Sequence, residues 1–373
     1  MANEKKVARE PSFLLALVPI VAMIGFMLYC FLGHSESGYH DAHLPLVMSI
    51  AVACIVGHFC GHDFKDMLSG MIERLSASME AVLILCTVGF LVASFMASGA
   101  IPSLIVYGLD LLTPKLFLPV GCILCAIVGM ACGSSWTTTA TIGLAFLGIG
   151  AGLGINPALT AGMIISGAYV GDKFSPLSDT TILAPIAAGT TLYRHIRSMM
   201  YTTGAASIAC IVVYTILGLN TNVSALSNPE QVTAMLSNLE ALYHFNPILL
   251  LPPVLVFWGA YTKKPTIPML LLSSVIALAM GMIFQGFTLK VALNAFVKGF
   301  NVSMLPAVAG GVKTLKVINT LLNRGGLMGM MGTVLLVFCA FAFAGIFSKA
   351  GCIEVILERV KSSINSVGNL IAA

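Results

Sequence analysis

The sequence predicts an all-α polytopic membrane protein, and three observations carry that reading. Of 373 residues, 58% are hydrophobic and only 9% are charged. The mean hydropathy is +0.97. Several runs stay free of charge for about 18 residues or more, the length at which a helix crosses a bilayer core. A membrane β-barrel would show short alternating segments instead. The clearest spans are 12–33, 44–61, 81–99, 199–219, 246–262 and 326–348. No stretch reads as a separate soluble domain, so 1–373 is taken as a single transmembrane domain.

The elements follow in order. Lys5, Lys6 and Arg9 precede the first run, which places the N-terminus in the cytoplasm. That run has no small-residue cleavage site and reads as a retained helix. Segments 33–43 and 220–245 lack Lys and Arg and are expected outside, whereas Lys65, Arg74, Arg194, Arg197, Lys263 and Lys264 are expected inside. The segment "DFKDMLSGMIERLSASME" is amphipathic and expected to lie at the cytoplasmic interface, ahead of the third span. "IPSLIVYGLDLLTPK" then reads as an outer connection. By this count Lys290, Lys298, Lys313, Lys316 and Arg324 fall outside, against the positive-inside bias, which points to a further crossing between 286 and 322.

"LFLPVGCILCAIVGMACGSSWTTTATIGLAFLGIGAGLG" has two apolar arms around Ser134, Ser135, Thr137, Thr138 and Thr139. It reads as a re-entrant hairpin with the hydroxyls at its tip, since irregular backbone at membrane depth survives only against protein or a watered cavity. The alternative is one long helix whose hydroxyls bond back to its own carbonyls. Cys122 and Cys125 form a CxxC without His or charge nearby and read as buried helix residues. His34, His40 and His43 share a loop with Glu36 and Asp41. A solvated loop is the favoured reading there, over a metal site or pH sensor.

The chain also echoes itself. "MEAVLILCTVGFLVASFMASGAI" from Met79 resembles "MGTVLLVFCAFAFAGIFSKAGCI" from Met331, at an offset of 331 − 79 = 252. Two structural repeats, about 44–219 and 286–373, would run in opposite directions across the membrane, as in many secondary transporters. At that offset the counterpart of Gly133 falls at 133 + 252 = 385, beyond Ala373. The second repeat is therefore expected to be incomplete.

The most polar stretch is "GAYVGDKFSPLSDTTILAP", 167–185. Between Ala81 and Pro229 the only acids are Asp110, Asp172 and Asp179. A carboxylate at the bilayer centre costs about 3 kcal/mol or more and normally faces a cavity with a task. Pro176 removes an N–H and disfavours helix at Ser175, so the helix is expected to break near 173–178. Carboxylate, hydroxyl and freed carbonyl oxygens suit a hard cation such as Na⁺. Asp172, Asp179, Ser175, Ser178 and Thr180 are the candidate ligands, the hydroxyls at 134–139 would complete the shell, and Lys173 would tune the charge. A site that holds Na⁺ or H⁺, but not both, is the physical core of an antiporter. A helix cap by Ser178 or Asp179 is the simpler alternative, but it accounts for one aspartate only.

"GSSWTTTATIG" (133–143), "ISGAYVGDKFSPLSDTTILAP" (165–185), "HIRSMMYTT" (195–203) and "LNRGG" (322–326) resemble the NhaC-type sodium/proton antiporters of bacterial inner membranes. The likeness runs through nearly the whole chain. It implies Na⁺ efflux against H⁺ uptake in a fold of inverted repeats, with no cofactor, no nucleic-acid partner and a homodimer open as the assembly. The family also includes exchangers that couple Na⁺ and H⁺ to malate and lactate, so an organic-anion exchanger is the alternative. An intramembrane aspartyl protease is the remote one, because its carboxylates would come from different helices.

Overall fold

A computed structural model describes residues 9–32, 42–111, 113–133, 135–175, 178, 180–181, 184–185, 190–220, 229–262 and 264–363. The described residues are mostly helical, with no strand among them. The helices are α1 (Phe13–Leu32), α2 (His43–Phe59), α3 (Phe64–Ser98), α4 (Ala100–Leu111), α5 (Pro114–Cys132), α6 (Ser135–Thr138), α7 (Leu144–Gly152) and α8 (Pro157–Phe174). After them come α9 (Leu192–Leu219), α10 (Pro229–Leu242), α11 (Leu251–Tyr261), α12 (Thr266–Gln285) and α13 (Leu289–Lys298). The series closes with α14 (Pro306–Ala309), α15 (Lys316–Leu322), α16 (Leu327–Lys349) and α17 (Cys352–Ser363).

Five of these helices, α1, α3, α9, α12 and α16, are long and apolar enough to cross a membrane. A sixth crossing results if Thr233–Leu242 and Pro247–Val256, bent by 95°, form one span. The protein is thus an all-α polytopic membrane protein. Large apolar side chains such as Leu14, Ile208 and Ile283 are exposed, as expected of surfaces that meet lipid tails rather than water.

Several expectations change. The amphipathic segment is no separate interface helix: it runs unbroken into the third span as the 35-residue α3. Residues 71–88 contain neither Gly nor Pro, so nothing interrupts the ladder. The segment 220–245, expected outside, contains α10, whose Met235, Leu239 and Leu242 are buried. α12 adds a span-length helix to those read from the sequence. Among the described residues of 286–322, no helix is long enough to cross alone, so the further crossing expected there is not formed by a single helix.

The chain divides into two compact units. The first joins Met1–Leu85 to Met331–Ala373. Its core gathers Ala16, Ala53, Val56, Met67, Phe343, Ile346 and Cys352. α3 and α16 touch backbone to backbone there: a Cβ on Gly70 would meet the Gly345 carbonyl at 2.8 Å. The His43 ring nitrogen Nε2 lies 2.8 Å from the Gly332 carbonyl, which ties α2 to the start of α16. His34 and His40 lie outside the described residues.

The second unit is Cys86–Met330. Here α3 ends at Gly99, whose φ of 87° stops the helix. The carbonyls at that end are capped by side chains: Gln285 Nε2 donates to Ser98 O (3.1 Å) and Tyr243 Oη to Met96 O (3.0 Å). Gln285 also exchanges hydrogen bonds with the His244 backbone. α16 stops in the same way at Gly351, φ 75°, and 99 + 252 = 351, so both members of the echo break at the same position.

Candidate functional site

The polar stretch is held by three helical segments of the second unit. α5 and α8 run parallel in constant register. Gly121 abuts Met163, Gly167 abuts Cys125, and Gly129 abuts Gly171, and 163 − 121, 167 − 125 and 171 − 129 each equal 42. Small residues let the two backbones meet. A Cβ on Gly129 would lie 2.8 Å from the Ala168 carbonyl, and one on Gly171 would collide with the Ala126 carbonyl. α7 runs the other way, with Gly143 against Ile164 and Gly150 against Thr160. Phe117 of α5 meets Phe146 of α7 edge-on at 5.9 Å. The end of α5, the start of α6 and the end of α8 therefore gather at one end of this three-helix packet.

Each feature at that end follows from the local sequence. α5 stops at Gly133, in the left-handed region at φ 63°. The chain then returns through α6 and a π-helical turn, Thr139–Gly143, into α7. Ser135, Thr137, Thr138 and Thr141 are buried there, while Trp136 is exposed. Thr139 Oγ1 donates to Ser135 O (2.8 Å) and Thr141 Oγ1 to Thr137 O (2.7 Å). Such back-bonding and the wider π turn loosen a helix where sites often sit. The hydroxyls thus occupy the first turns of the returning arm rather than the tip itself. Ser134 lies outside the described residues.

α8 ends at Phe174, and Ser175 is extended at ψ 124°, as the following proline demands. Asp172, two residues before that end, is only 7% exposed. The break is stitched by hydroxyls. Ser175 Oγ donates to Met130 O on α5 (2.7 Å). Thr181 Oγ1 lies 3.2 Å from both the Asp172 and Lys173 carbonyls. Ser178 and Thr180 hydroxyls pair at 3.0 Å. Ser178 and Thr181 are buried, Thr180 is exposed and Lys173 is partly exposed in the last turn of α8. Asp179 lies outside the described residues.

The packing brings together Asp172, Ser175, Ser178 and Thr181, and sets α6 and the π turn against α8. Thr181 and Thr141 were not singled out from the sequence, nor was the Gly167/Gly171 pair. The signal for the glycines was present as two small residues four apart. Cys122 and Cys125 are buried in α5, and no cluster of three or more His, Cys, Asp or Glu side chains occurs among the described residues. Two helix C-termini at one point present partial negative charge. A buried carboxylate and neutral hydroxyls are donors of the kind that can hold a dehydrated monovalent cation or a proton.

A bundle of apolar helices, one broken beside a buried carboxylate, defines a membrane transporter of the secondary type. The profile of the Na⁺/H⁺ antiporter family matches residues 15–188 and 167–373, and the chain belongs to that family. It is 40% identical over 363 residues to an uncharacterized Na⁺/H⁺ antiporter of Haemophilus influenzae, covering 97% of this chain and 76% of the relative. It is 35% identical to the Na⁺/H⁺ antiporter NhaC of Alkalihalophilus pseudofirmus, over 89% of this chain and 70% of that one. It is 32% identical to the malate-2H⁺/Na⁺-lactate antiporter of Bacillus subtilis, over 95% and 74% respectively. No solved structure matches the chain.

Proposed function

We propose that this protein exchanges Na⁺ for H⁺, with Asp172 as the group that carries either ion. The observation behind this is a carboxylate 7% exposed at the point where α5, α6 and α8 converge. Na⁺ bound there displaces the proton, and protonation releases Na⁺, because a desolvated carboxylate is neutralised by one or the other. Ser175, Ser178, Thr180 and the hydroxyls of Ser135, Thr137, Thr138 and Thr139 supply neutral oxygen, with Asp179, Ser134 and Lys173 completing the set. The setting is a bacterial inner membrane with the N-terminus in the cytoplasm, the side to which Lys5, Lys6 and Arg9 bias it. Inverted repeats at about 44–219 and 286–373 are supported by the shared helix–glycine–helix break at Gly99 and Gly351.

The test is proton movement in everted vesicles on addition of Na⁺. Asp172→Asn keeps the shape but neither titrates nor carries charge, and is expected to reduce the response to that of vesicles lacking the protein. Full exchange by this variant, at equal expression, overturns the assignment. A second reading, exchange coupled to an organic anion, is supported by the similarity to the malate/lactate exchanger. Malate counterflow in proteoliposomes separates the two.

A further inference from the structure

We infer a second site, for a small carboxylate anion, in a cavity built by Lys298, Asn301, Asn323 and Arg324. It shares no residue with the Asp172 cluster. The cavity measures about 650 Å³ and is lined also by Gly299, Phe300 and Met330, a size typical of small-molecule sites.

Charge comes first. Between Glu240 and Glu354 the sequence contains no acid, yet it carries Lys263, Lys264, Lys290, Lys298, Lys313, Lys316, Arg324 and Lys349. No carboxylate lines the cavity. The donors come next. Asn323 Oδ1 accepts from Val302 N (2.7 Å) and Asn301 Oδ1 from Ser303 N (2.9 Å). With both oxygens engaged, what each side chain has left to give is its NH₂. Arg324 Nε donates to Thr320 O (3.2 Å), which orients the guanidinium. A fork of N–H groups, an ammonium and two amides match the oxygens of a carboxylate, not a cation.

Placement supplies the third argument. Gly326 N donates to Gly89 O of α3 (2.7 Å), and a Cβ on Gly325 would collide with Ala93. Phe296, two residues before Lys298, meets Phe90 with ring centroids 5.0 Å apart. Residues 89–93 lie within the charge-free run 81–98 of α3. Non-helical backbone beside the two cations is thus set against the apolar part of a spanning helix, and such backbone is tolerated there only when buried in protein or lining a watered cavity.

The same donors fit a phosphate, free or on a lipid headgroup, so the experiment distinguishes these sources. The full chain in nanodiscs of zwitterionic lipid is titrated calorimetrically with L-malate, L-lactate and inorganic phosphate, and with L-malate again in nanodiscs containing an anionic phospholipid. Saturable malate binding is expected. It is expected to weaken by about tenfold or more in Arg324→Gln and in Lys298→Gln, the scale of one lost charge-assisted bond. Arg324→Lys, which keeps charge without the planar fork, is expected to fall between. Lys313→Gln, outside the cavity, is expected to bind as the unmodified chain does. Melting curves without ligand report whether each variant folds, and Lys298, exposed at a helix end, can be changed even where Arg324 cannot. The inference is overturned if malate does not bind saturably, or if it binds the folded Lys298→Gln and Arg324→Gln chains undiminished. It is equally overturned if phosphate binds more tightly than malate, or if anionic lipid abolishes malate binding. Because the readout is malate binding at equilibrium, failure here leaves the Asp172→Asn result untouched.

Discussion

The two polar places in Cys86–Met330 are built on opposite plans. Around Asp172 one carboxylate is sealed where glycine-tight helices end, and hydroxyls tie its neighbouring carbonyls. Around Arg324 two exposed cations sit on irregular backbone beside an open cavity. A sealed site suits a small ion that must lose its water. An open, donor-rich one suits a larger anion that keeps part of its shell. The comparison shows how an apolar protein tolerates charge: the Asp172 carboxylate buried by tight packing in one place, two cations kept beside open space in the other.

The comparison breaks most severely at Asp172. Replacement by Asn is expected to abolish Na⁺-driven proton movement, and any residual Na⁺ response places the exchanged proton elsewhere. Next comes the packing that seals it. Gly171→Val pushes a side chain into the Ala126 carbonyl and is expected to cost about 2–3 kcal/mol, read as a melting point lowered by several degrees. Gly25→Ala, where a Cβ meets nothing within 4 Å, is the matched control and is expected to melt unchanged or slightly higher. Ser175→Ala removes the tie to Met130 O and is expected to cost about 1 kcal/mol, with chemical denaturation as the measure. The smallest effect is expected from Thr137→Ala and Thr138→Ala. Loss of a neutral ligand weakens apparent Na⁺ affinity about two- to tenfold without removing the titrating group. An unchanged Na⁺ dependence in both would make these hydroxyls ordinary packing.

Local features of the sequence revealed what depends on local rules. Pro176 placed the end of α8 correctly, because a proline restricts its predecessor wherever it stands. The acids marked Asp172, because burial of charge is costly in any fold. The structure also shows the break at Gly133, but the hydroxyls form turns of the returning arm, a choice made by packing of α6 and the π turn on α8. α10 was not singled out within 220–245, because its polar residues hide a buried face of Met235, Leu239 and Leu242. The cavity was not legible at all. "LNRGG" stood out as a motif, but its meaning arises when residues 325 and 326 meet residues 89 and 93, more than 200 positions away in sequence.

The constant offset of 42 between α5 and α8 has a mechanical consequence. Three successive contacts on these helices involve glycine, and at Gly129, Gly167 and Gly171 the nearest atom is a main-chain carbonyl oxygen. The pair behaves as a keyed shaft: turning either helix about its own axis, or sliding it by one residue, drives a Cβ into a carbonyl. In any rearrangement of this unit, α5 and α8 travel as one thick rod.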